Sequence, residues 1–241
     1  MRINTSKRTN KTEIMDDFEL KGPELVKTLN DLDNINKWLG GNRITVNGVA
    51  RLLEDIPKSQ AVTIVDIGCG NGAMLRQIAS WARKNNREVH LTGIDANIHT
   101  IEIARKMSFG FSEINYSSIN IFSKEYQANK WDIILCTLTL HHFKDPEILK
   151  LLKESCQQAK IGVVVNDLHR SRLAYYLFKA FCAVFINNEI ARKDGLISIL
   201  RGFKRRELVA FARELPEIDH QIKWKWAFRY QWLIPMTNKN I

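Results

Sequence analysis

Between residues 61 and 168 the chain alternates short β-branched runs with longer stretches whose apolar positions recur every three or four residues. Strands are predicted over 61–67, 89–94, 114–119, 131–138 and 161–168, with helices over 74–84, 98–107 and 146–159. The first run ends in glycines and reads as a buried parallel strand. Strands separated by helices at this spacing imply an α/β, doubly wound, mainly parallel sheet.

Outside that core the periods change. Leu25, Leu29, Leu32, Ile35 and Leu39 share one helical face over 22–39, Gly40-Gly41 is a helix stop, and a second short helix is expected over 46–56. Residues 13–58 thus read as a helical N-terminal lid, after a polar leader, 1–12, expected to be disordered. Residues 59–241 read as one domain with a helical lid inserted at about 170–202. That lid is unusually apolar over 173–187. Its Tyr175, Tyr176, Phe178, Phe181 and Phe185 suit either a pocket for an apolar ring or chain, or plain packing on the sheet. After a helix over 205–213, Ile222, Trp224, Trp226, Phe228, Tyr230 and Trp232 alternate with polar positions, as on a strand or hairpin with one buried face. Lys223, Lys225 and Arg229 then occupy the other face. Stacking of those aromatics on nucleic-acid bases is the weaker reading.

Composition alters this picture little. The chain has 241 residues, 45% hydrophobic and 26% charged, ordinary for a globular protein with one α/β domain. The net charge of +10 is spread along the chain and reads as a solvated basic surface, so no nucleic-acid partner is expected. Cys69, Cys136, Cys156 and Cys182 form no CxxC pair and read as reduced, buried thiols. No cluster of His and carboxylates has ligand spacing, so no metal is expected. The N-terminus lacks the apolar core of a signal peptide, and the longest apolar stretch is interrupted by Lys179. These features predict a cytoplasmic protein without a transmembrane segment, monomeric or homodimeric.

The strongest chemical signal is Val65-Asp66-Ile67-Gly68-Cys69-Gly70-Asn71-Gly72, where the first strand gives way to a helix. Glycines there let backbone lie against a ligand. A dinucleotide loop reads GxGxxG and offers a helix N-terminus to pyrophosphate. This loop reads GxGxG behind a carboxylate, Asp66. That charge repels phosphate but suits an ammonium and a sulfonium, which favours S-adenosylmethionine over NAD. Asp95, ending the second strand 25 residues after Gly70, is positioned to accept hydrogen bonds from both ribose hydroxyls. Such charge-assisted bonds contribute about 1.5–3 kcal/mol each.

Over roughly residues 60–170 these motifs, with Gly93-Ile94-Asp95-Ala96-Asn97 and Leu138-Thr139-Leu140-His141-His142-Phe143, resemble class I S-adenosylmethionine-dependent methyltransferases. The resemblance implies a Rossmann-like seven-stranded sheet and release of S-adenosylhomocysteine as coproduct. It implies that Gly68, Gly70 and Gly72 cradle the methionine part, Asp95 holds the ribose, and Asn120 and Ile121 flank the adenine, with Asp66, Cys69, Ala96 and Cys136 also at the cofactor. Many members carry Asp where this chain has Asn120.

The acceptor belongs at the carboxyl ends of the fourth and fifth strands, where His141, Asp167 and His169 stand. A His near neutral pKa suits removal of a phenolic proton, and Asp167 is placed to orient it. These three are the catalytic candidates. His142 reads as structural, and Arg170 and Arg172 as fixing the turn or binding an acidic group. Four further stretches, Met15-Asp16-Asp17, Asn36 to Gly41, Asn166 to Arg170 and Ala191 to Gly195, resemble a bacterial small-molecule subgroup linked to phenolic polyketide or quinone pathways. That narrower resemblance implies O-methylation of an aromatic small molecule in secondary metabolism. C-methylation of a quinol ring, RNA methylation and a non-enzymatic scaffold that binds S-adenosylmethionine are the alternatives.

Overall fold

The computed structural model describes residues 3–215 and 219–236; residues 1–2 of the expected leader and 216–218 and 237–241 of the expected domain lie outside them. Seven strands form one sheet: β1 (Val62–Ile67), β2 (Val89–Asp95), β3 (Ile114–Ser118), β4 (Trp131–Thr137), β5 (Ala159–Leu168), β6 (Gln221–Lys225) and β7 (Arg229–Pro235). Their order is β3-β2-β1-β4-β5-β7-β6. β1 to β5 are parallel, and β7 runs antiparallel to both β5 and β6. The chain winds outward from β1 to β3, then restarts at β4, so the strand order reverses between β1 and β4. In open α/β sheets that reversal opens the ligand crevice.

Buried β-branched residues on both faces explain the parallel strands. Val62 and Ile64 of β1 pack into one core layer, Val65 and Ile67 into the other. The first layer is covered by α2 (Gly41–Leu52), α3 (Ala73–Lys84) and α4 (Ile98–Met107), the second by α5 (Lys124–Gln127), α6 (Asp145–Gln158) and α9 (Arg205–Arg213). α4 begins where expected because the Asn97 side chain accepts the N–H groups of His99 and Thr100. A smaller cluster ties together α1 (Pro23–Trp38), α7 (Arg172–Phe185) and α8 (Glu189–Arg201) through Ile35, Cys182, Ile186 and Ala191. Among the described residues no helix is long and apolar enough to cross a membrane.

Three expectations change. Gly40 ends α1, but with φ +71° it also turns the chain straight into α2, which starts at Gly41 instead of residue 46. α2 is a layer of the sandwich more than a lid, with Val49 fully buried against the sheet. The leader is not loose from residue 3 onward. Arg8 donates to the carbonyls of His141, Phe143 and Arg201, and the carbonyls of Thr5 and Ser6 accept from Arg170. Finally, the aromatic tail is a hairpin whose alternation breaks at residues 226–228. Tyr230 and Trp232 are buried, whereas Trp224 on the edge strand and Trp226 in the turn are exposed.

Gly48 marks how closely α2 approaches the sheet. A Cβ there would stand 2.7 Å from Val164 and 3.0 Å from Leu233. Helix propensity alone favours Ala over Gly by about 1 kcal/mol, but overpacking costs about 1–3 kcal/mol. Gly48→Ala is therefore expected to destabilise the fold by about 1 kcal/mol, seen as a lower urea midpoint at constant slope. A raised midpoint would show that the layer is looser than these distances imply.

Candidate active site

The carboxyl ends of β1, β2, β4 and β5 open into a cavity of about 1740 Å3, walled by the N-terminal segment, α1, α7 and the turn between β6 and β7. Ligand cavities commonly hold ~300–1,000 Å3, so this one has room for two molecules side by side.

One end is built by the loop after β1. Gly68 and Gly70 have φ of +69° and +54°, which a side-chain-bearing residue rarely adopts. The N–H groups of Gly68 and Cys69 donate to the Ile94 carbonyl, which holds the loop against β2. Asp66 is buried, and its Oδ1 has no hydrogen-bond partner. Burial, and then the nearby Asp95, push its carboxyl well above the ordinary range. Asp95 accepts from the N–H groups of Gly70 at 3.1 Å and Asn97 at 3.0 Å. Burial raises its carboxyl against the pull of those bonds. Two of its roughly four lone-pair directions remain for a ligand. Ala96, Asn120, Ile121 and Cys69 also line this end. The Asn120 Oδ1 is already taken by the N–H of Phe122.

The other end is a network of acids and bases. Its centre is His141, in a 3-10 turn after β4 (Leu140–His142), only 2% exposed. The ring Nδ1 lies 2.7 Å from Asp167 Oδ1, and the His141 main-chain N–H donates to Asp167 Oδ2 at 3.2 Å. Burial drives the Asp167 carboxyl up, but the facing His141 outweighs it and holds the group below its usual range. An ionised Asp167 assigns a hydrogen to Nδ1, so that in the neutral ring the lone pair is on Nε2. That Nε2 has no hydrogen-bond partner and faces Glu13 Oε1, also unpartnered, at 3.6 Å. Burial lifts the Glu13 carboxyl to about 7. His142 Nδ1 stands 2.6 Å from Asp16, and Arg201 joins Asp16 at 2.5 Å while donating to the carbonyls of His141 and His142. Burial disfavours an ionised Asp16, but those bonds from His142 and Arg201 hold its carboxyl well below the ordinary range. Asp194 of α8 accepts the N–H groups of Ile14 and Met15, which fixes the turn that carries Glu13 and Asp16.

Most of the expected cofactor residues line the cavity; Gly72 and Cys136 do not. Gly72 makes the turn into α3, with the Tyr116 ring lying where its Cβ would be. Cys136 points from β4 into the α6-side core and is fully buried there. Of the catalytic candidates, His141 reaches the cavity and Asp167 stands behind it. His169 is turned away. β5 ends at Leu168, and the His169 ring is held at the hairpin, where Nδ1 accepts from the Trp224 indole at 3.2 Å. The metal expectation rested on local spacing, yet the fold gathers Glu13, His141 and His142 with ligand atoms within 4.8 Å of one another. Asp16 and Arg201 already engage His142 and approach Glu13, so the cluster reads as a proton network. Glu13, Arg201 and Asp194 were not identified from the sequence as site residues, although Asp16 and Asp194 lie within the stretches that carry the narrower resemblance.

The chain is similar to known proteins in sequence and in fold. The profile of a family described as a methyltransferase domain matches residues 58–201. The ribosomal RNA large subunit methyltransferase G of Shewanella loihica is 26% identical over 220 residues, 81% of this chain and 51% of its own. The ubiquinone biosynthesis O-methyltransferase of Nitrosomonas europaea is 24% identical over 155 residues, 63% of this chain and 61% of its own. The chain thus spans about half to three fifths of the length of the curated relatives it matches. The plantazolicin methyltransferase BpumL, solved with SAH, superimposes with a TM-score of 0.66 at 18% identity over 88% of this chain and 90% of that one. Magnesium protoporphyrin IX methyltransferase (ChlM) of Synechocystis PCC 6803 gives 0.55 at 12% identity over 82% and 81%. With that profile covering more than half its length, the chain belongs to the methyltransferase domain family.

Proposed function

We propose that this protein transfers the methyl group of S-adenosylmethionine to a phenolic oxygen of an aromatic small molecule and releases S-adenosylhomocysteine. The observation that carries the reading is the buried pair of His141 and Asp167 in the cavity wall, with the His141 Nε2 left without a hydrogen-bond partner beside Glu13. The cofactor end fits S-adenosylmethionine on its donor chemistry. The partnerless Asp66 Oδ1 suits an ammonium, and the open lone pairs of Asp95 suit a ribose diol. Gly68 and Gly70 would present backbone to the methionine part, with Asn120 and Ile121 beside the adenine. S-adenosylmethionine, when bound, supplies a methyl group on a positively charged sulfur.

The chain's own residues then have distinct tasks. His141 Nε2 removes the proton of the acceptor hydroxyl, a step worth roughly 10²–10⁴ in rate. Asp167 holds the ring in the required tautomer and, with Glu13, stabilises the imidazolium that forms. Phe178 and Phe181 of α7, with Leu32 and Leu39 of the α1 end, offer an apolar wall for the acceptor's ring or chain. C-methylation of a quinol would use the same base.

The direct test supplies S-adenosylmethionine with a labelled methyl group to the purified protein and a fractionated lysate. Label in organic-extractable small molecules, attached to oxygen, is the expected result; label in RNA would replace this reading. Asp95→Ala should abolish cofactor binding in calorimetry. His141→Ala should instead lower turnover by about 10²-fold or more and leave that binding within a few-fold. A second prediction follows from Glu13, whose carboxyl is raised from 4.5 to about 7 by burial. The folded chain keeps a proton that the unfolded chain releases between those values. The associated stability is complete below about pH 4.5 and is lost as pH rises through about 7. Glu13→Gln, neutral throughout, should gain on the wild type across that interval, by at most about 3 kcal/mol. A constant difference in melting temperature over the same range would show that the Glu13 pKa is ordinary.

A further inference from the structure

Arg229 opens β7, opposite Leu168 at the carboxyl end of β5, and is only 3% exposed. Its side chain lies under the junction of α1 and α2, so close that a Cβ on Gly41 would stand 2.8 Å from Cζ. Nε and Nη1 are sealed from water and donate to nothing among the described residues. Asn36 Oδ1, beside the same glycine, is also buried without a partner. Asp167 on the neighbouring strand attracts the guanidinium across space but makes no hydrogen bond with it. Burial consequently lowers Arg229 to about 10, with Asp167 acting against the shift. Arg87, Arg170 and Arg201, the other buried arginines, are each satisfied by carbonyls or carboxylates.

A buried guanidinium with open donors is costly unless an anion completes it. Arg229 is among the residues that line the cavity, although Nε and Nη1 are themselves sealed, so an anion entering from the cavity bonds them only with a small shift of the guanidinium. The planar fork of Arg matches a carboxylate through two parallel bonds. Position separates the possible sources of that carboxylate. β7 stands three strands from β1 in the sheet, about 14 Å at the usual ~4.8 Å spacing. It is next to β5, which carries Asp167 behind His141. We infer that Arg229 binds a carboxylate of the acceptor, which makes the acceptor a hydroxyaryl acid instead of a neutral phenol. The inference rests on the acceptor site proposed above and adds the acceptor's charge.

The test is calorimetry with saturating S-adenosylhomocysteine and two probes, a ring-alkylated salicylic acid with its carboxyl group free and the alkylphenol that lacks only that carboxyl group. The wild type should bind the acid about tenfold more tightly or better. Arg229→Gln should bring the two probes within about threefold and leave S-adenosylhomocysteine affinity unchanged, and Arg229→Lys should keep part of the preference. Thermal melts of the ligand-free Arg229→Gln protein should match or exceed the wild type, because a merely structural arginine would cost stability when removed. Equal binding of both probes by the wild type would overturn the inference. So would a variant that loses S-adenosylhomocysteine affinity, which would assign Arg229 to the cofactor's own carboxylate. Failure of methyl transfer to a probe that binds through Arg229 would count against the proposed reaction and leave the anion site standing.

Discussion

Three guanidinium groups over the strand ends, two buried and one half-buried, need acceptors, and the partners they find hold the N-terminal segment over the cavity. Arg170 is capped by Glu207 and by the carbonyls of Gly202, Thr5 and Ser6. Arg201 takes Asp16 and the carbonyls of His141 and His142. Arg8 takes Asp145 and three carbonyls, including that of His141. Each would be expensive to strand without these partners. Together they pin the N-terminal segment across the sheet and fix both histidines from the backbone side. His141 is positioned as much by the arginines that hold its main chain as by Asp167.

The cofactor half of the site was legible because its chemistry is local. The glycine loop, Asp66 and Asp95 stand at consecutive strand ends, so one pass along the chain finds them in order. The end of the cavity around His141 was legible only in part. His141 and Asp167 were readable as strand-end residues, but Glu13 faces His141 from the far end of the chain, and no local pattern encodes that contact. The narrower resemblance did carry a trace of it. Met15-Asp16-Asp17 and the stretch around Asp194 are two sides of one contact, in which Asp194 receives the N–H groups of Ile14 and Met15. His169 lies away from the cavity for a physical reason: it stands just past the last paired residue of β5, where the hairpin holds its ring.

Charge is divided between the surface and the interior. A net charge of +10 suggested a solvated basic surface, and many lysines fit that description. Yet Arg87, Arg170, Arg201 and Arg229 are all buried. Arg87, Arg170 and Arg201 act as internal connectors, Arg229 keeps two unpartnered donors, and composition cannot distinguish such arginines from surface ones.

The seating of residues 3–16 also has a bearing on biosynthesis. Arg8 meets the carbonyl of a residue 193 positions later in the chain, and Arg170 and Arg201 supply the remaining anchors. Chains emerge from the ribosome amino end first, and contacts of long sequence separation form late. The sheet through β4 and its cofactor loop can be assembled while the opening segment still has nothing to hold. Residues 3–16, although made before the sheet, are therefore among the last of the described segments to find their place, and Glu13 is held beside His141 only once α8 has been synthesised.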